Sequence, residues 1–83
     1  MTDDDLKRRL KVLVAGQAGW KPLHEVLSEF ALSGGSQMRA QRILEKLLQE
    51  AENQAVDDAI RDALDIVTGW GAPHLRVWPL AAP

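Results

Sequence analysis

Cysteine and tyrosine are missing from this chain of 83 residues, and phenylalanine occurs only once. Without cysteine the chain can form neither a disulfide nor a thiolate metal site, so we expect a reducing compartment, namely the cytoplasm. Long apolar runs are missing too, whereas a membrane-spanning helix needs about 18 consecutive apolar residues. The acidic start, residues 1–5, lacks the basic and apolar regions of a signal peptide. With the short length, these absences predict one small soluble domain over residues 1–83.

Motifs for catalysis and for metal binding are missing as well. His24 and Glu25 resemble the first half of a zinc-peptidase helix, but the second histidine of that motif would have to replace Ser28. The only other histidine, His74, is distant in the sequence and provides no ligand spacing. We therefore expect no enzymatic activity, no metal and no cofactor.

Apolar residues recur at helical spacing through most of the chain, which predicts an all-α fold. The clearest apolar stripe lies between Leu23 and Phe30. Residues 69–83 contain tryptophan, glycine and proline, and they predict a non-helical C-terminal segment packed on the helices. The expected fold is a small bundle of about four short helices, over residues 3–15, 22–32, 37–51 and 54–68.

Residues with capping chemistry mark the predicted helix boundaries. Thr2 and Asp5 have the spacing of a capping box at the start of the first helix, and Ser36 is placed to cap the third. Neither glycine nor proline separates the third helix from the fourth, so the two could form one bent helix. We favour a break with Asn53 as the cap, because both apolar faces must turn onto a common core.

Net negative charge is concentrated toward the end of the chain, where basic residues are few. Residues 1–50 hold eight basic and seven acidic residues, whereas residues 51–83 hold two basic and five acidic ones. At about 100° per residue, Asp58, Asp62 and Asp65 fall in one narrow sector of the fourth helix, opposite its apolar stripe. Such like-charged neighbours slightly oppose helix formation. The sector is either an ordinary solvated face or a surface that attracts a basic protein partner.

The third helix carries a basic stripe formed by Arg39, Arg42 and Lys46. Together with the glycine-containing turn before it, this stripe could indicate a DNA-binding helix-turn-helix. However, aligning Gly34 to the usual turn glycine places the bulky Phe30 where a small residue normally stands. Several glutamates also crowd the same helix. Nucleic acid is therefore not the expected partner.

Two of the three tryptophans, Trp70 and Trp78, lie in the C-terminal segment together with His74. Tryptophan is enriched among the anchors of protein interfaces, although both indoles could instead cover the small core. An aspartate-rich helix, Thr-Gly-Trp at 68–70 and Pro-His-Leu-Arg-Val-Trp at 73–78 together resemble the end of small all-α bacterial toxin-immunity proteins. This resemblance implies an inhibitor that binds a secreted toxin directly.

These observations leave three functional hypotheses. The leading one is a non-enzymatic, immunity-type inhibitor of a basic toxin or enzyme. Its expected partner-binding residues are Asp58, Asp62, Asp65, Trp70, His74 and Trp78. The second hypothesis is a helical adaptor or self-associating module, in which Ile66 on the flank of the fourth helix builds a homodimer. The third is a small DNA-binding regulator. The chain is expected to be a monomer or a homodimer, with no membrane partner.

Overall fold

Four α-helices make up most of the protein in the computed structural model, which describes residues 1–69 and 77–78. They are α1 (Asp3–Ala15), α2 (Trp20–Leu32), α3 (Gln37–Glu50) and α4 (Gln54–Thr68). The described residues contain no β-strand, so the predicted all-α bundle is confirmed. Within the same residues, no helix is long and apolar enough to cross a membrane.

Side chains cap three of these four helices at their N-termini, as the sequence predicts. The Thr2 hydroxyl accepts a hydrogen bond from the backbone N–H of Asp5 at 3.1 Å, and the Asp5 carboxylate accepts one from the N–H of Thr2 at 3.3 Å. Ser36 and Asn53 each accept from the backbone N–H three residues later. A cap of this kind typically contributes about 1 kcal/mol. Because Asn53 caps a helix of its own, α3 and α4 are separate helices.

Two helix boundaries differ from the prediction. α2 begins two residues earlier than expected, at Trp20, because Gly19 adopts a φ of 86° and leads the chain directly into the helix. Pro22 still lies in the first turn, where a backbone nitrogen needs no partner within the helix. α3 ends one residue earlier than expected, at Glu50, because the next residue has an extended backbone.

α1 packs against α2 and α3, and α4 also packs against both of them. At one end of the bundle, Arg39 Nε donates to Asp3 Oδ1 at 2.9 Å, which joins the starts of α3 and α1. At the same end, Gln37 Nε2 donates to the carbonyl oxygen of Val67 at 2.6 Å. We call this end, where α3 begins and α4 finishes, the lower end.

Apolar side chains from all four helices form one core, in which Phe30 is the largest fully buried residue. Ile66 belongs to this core, since only 4% of it is exposed. The prediction that Ile66 lies on an accessible flank of α4 is therefore wrong. The reason is that α4 contacts both α2 and α3, which widens its buried face beyond the stripe read from the sequence.

Candidate protein-binding surface

Asp58, Asp62 and Asp65 lie on the outer side of α4, and we call them the acidic row. All three are exposed, as the helical spacing predicts. Gln54 Nε2 donates to Asp58 Oδ1 at 2.8 Å. None of the three forms an ion pair with another described residue. The row therefore presents its carboxylates to solvent along two turns of the helix.

Arg61 stands beside the acidic row, but its guanidinium pairs with Asp57. The distance from Arg61 Nε to Asp57 Oδ2 is 2.8 Å. This hydrogen bond, the Coulombic attraction of Asp57 and then that of Asp58 raise the pKa of Arg61. Arg61 and Asp65 are also four residues apart, but they do not form an ion pair in the structure. The only cation within α4 is thus directed toward the first turn and away from the C-terminal half of the row.

Trp78 packs on the lower end of the bundle and is half-buried. Its indole Nε1 donates to the carbonyl oxygen of Gly35 at 3.1 Å. Its ring meets that of Phe30 edge to face, with 6.5 Å between the centroids. Trp78 therefore has a structural role, and its remaining exposed surface lies at the end of the bundle toward which the acidic row runs. Trp70 and His74 lie outside the described residues.

The Phe30 side chain organises the lower end around it. The backbone carbonyl oxygen of Phe30 accepts hydrogen bonds from the Gly35 N–H at 2.9 Å and from the Ser33 hydroxyl at 2.8 Å, which close the turn after α2. The Arg39 guanidinium lies 5.3 Å from the centre of the Phe30 ring. These contacts give the turn between α2 and α3 a structural role.

In the basic stripe on α3, Arg39 forms a contact between helices, whereas Arg42 and Lys46 differ from it. The hydrogen bond from Arg39 to Asp3 raises the pKa of Arg39 and connects two helices. Arg42 and Lys46 are exposed. One of the three cations proposed for nucleic acid therefore already has a structural function.

Exposed apolar side chains are the feature that the sequence analysis missed. Leu32 is 89% exposed and Met38 62%, and they stand on either side of the turn between α2 and α3. Val12 on α1 is 67% exposed. Helical spacing could have predicted that these residues are exposed, because each falls outside the apolar stripe of its own helix.

A cleft of about 570 Å³ lies at the opposite end of the bundle, where α1, α3 and α4 meet. Its floor is apolar and includes Val14, Leu47 and Ile60, and its rim carries Lys11 and Glu52. Among the described residues, no three histidine or carboxylate side chains are grouped to hold a metal ion. Comparison with known protein families, with curated protein sequences and with solved structures gives no match.

Proposed function

We propose that the protein is a non-enzymatic inhibitor of the immunity type, which acts in the cytoplasm and neutralises a basic toxin or enzyme by direct binding. The resemblance of the C-terminal segment to toxin-immunity proteins supports this proposal, and so does the exposed acidic row. An inhibitor that covers the active site of its partner needs no catalytic group of its own.

The observation that carries the proposal is that three exposed carboxylates without an ion pair to any described residue are aligned on one face of α4. Among residues 1–69 and 77–78, the carboxylates that form ion pairs are Asp3, Asp5, Glu29, Glu50 and Asp57. Three of these pairs join α1 to another helix and so serve the fold. The acidic row has no such partner within residues 1–69, and its members repel one another at i, i+4 and i, i+3 spacing. Basic side chains of a bound protein would remove this repulsion.

The geometry of the row suits a partner with a basic surface. From Asp58 to Asp65 the row extends about 10 Å along the helix, and it points toward the end of the bundle that holds Trp78. A row of carboxylates of this kind increases the rate of encounter and orients the partner, more than it adds to affinity. The exposed part of Trp78 then provides apolar contact at the lower end of the bundle, toward which the row extends.

The test pairs this chain with the protein encoded by the adjacent gene of the source genome. We expect that protein to stop growth when it is expressed alone, and co-expression of this chain to restore growth. The purified proteins should form a stoichiometric complex. Continued toxicity on co-expression, or no complex between the purified proteins, would contradict the proposal.

A second candidate, a self-associating helical module, is favoured by the exposure of Leu32 and Met38. Two such residues beside one turn provide an apolar contact that a second copy can cover. Sedimentation between micromolar and millimolar concentration distinguishes the two functions. A dimer that is lost in the Leu32→Ser/Met38→Ser variant favours the module, whereas a monomer at all concentrations excludes it.

A further inference from the structure

We draw no further inference here: the strongest candidate, the cleft of about 570 Å³ where α1, α3 and α4 meet, has floor residues Val14, Leu47 and Ile60 that are each at most 3% exposed and a rim that carries both a cation and carboxylates, and nothing in the structure shows what covers it.

Discussion

The indole of Trp78 donates a hydrogen bond to the carbonyl oxygen of Gly35 across 3.1 Å, although 43 positions separate the two residues. The bond holds Trp78 against the turn between α2 and α3. Because the same indole lies against the fully buried Phe30, it also covers the core at the lower end. The predicted return of the C-terminal segment onto the bundle is thus observed for Val77 and Trp78.

Replacing Trp78 tests the contribution of this bond. Trp78→Phe keeps an aromatic ring but removes the donor, and it should lower the free energy of unfolding by about 1 kcal/mol. Trp20→Phe is the control, because Trp20 is half-exposed at the start of α2 and should change stability by less than about 0.5 kcal/mol. Urea denaturation measures both variants. Equal effects at the two positions would contradict a fastening role for Trp78.

Gly35 has no room for a side chain. A Cβ atom added there would lie 2.5 Å from Cζ of Phe30, so the buried ring would have to move. We expect Gly35→Ala to destabilise the protein by about 1–3 kcal/mol, measured by thermal or urea unfolding. Gly16→Ala is the matched control, since its Cβ would lie 3.4 Å from the nearest atom, the Val12 carbonyl oxygen, and should fit. If Gly35→Ala left the free energy of unfolding unchanged, the Phe30 ring would not be held in place.

The capping box makes stability depend on pH. The backbone N–H of Thr2 and then its hydroxyl lower the pKa of Asp5 below its ordinary value. The ionised carboxylate therefore stabilises the fold above the unfolded pKa of about 3.9, and this contribution is lost as the pH falls through the lowered folded value. Asp5→Asn should be less stable than wild type at pH 7, and the difference should narrow toward pH 2.

Urea unfolding of the two proteins across this pH range measures that difference. Asp4→Asn serves as the control, because Asp4 is exposed in the same first turn and makes no capping bond. The free energy of unfolding of Asp4→Asn should differ little from that of wild type at every pH. A difference for Asp5→Asn that does not change with pH would mean that ionisation of the carboxyl contributes nothing.

Local chemistry made the helices and the acidic row predictable. Thr2, Ser36 and Asn53 cap helices through bonds to residues three positions away, so the sequence contains both partners of each bond. The acidic row depends only on the helical repeat, which places Asp58 and Asp62 on one side once α4 forms. These features need no knowledge of how the helices pack.

Contacts between distant residues were not predictable in this way. Burial of Ile66 depends on α4 lying against two helices at once, and the pairing of Arg39 with Asp3 joins residues 36 positions apart. The role of Trp78 likewise depends on where the chain returns, which the composition of the segment does not specify. Sequence periodicity describes one helix at a time, whereas these contacts arise from the arrangement of several.

The most direct test of the acidic row is the association rate with the partner from the adjacent gene. Asp58→Lys/Asp62→Lys should slow association at least about ten-fold at low salt and remove most of its salt dependence, while the fold stays intact. Glu25→Lys/Glu45→Lys carries the same change in net charge on exposed positions of α2 and α3, and it should slow association much less. Association of the aspartate variant at the wild-type rate, or equal slowing in both variants, would contradict steering by the acidic row.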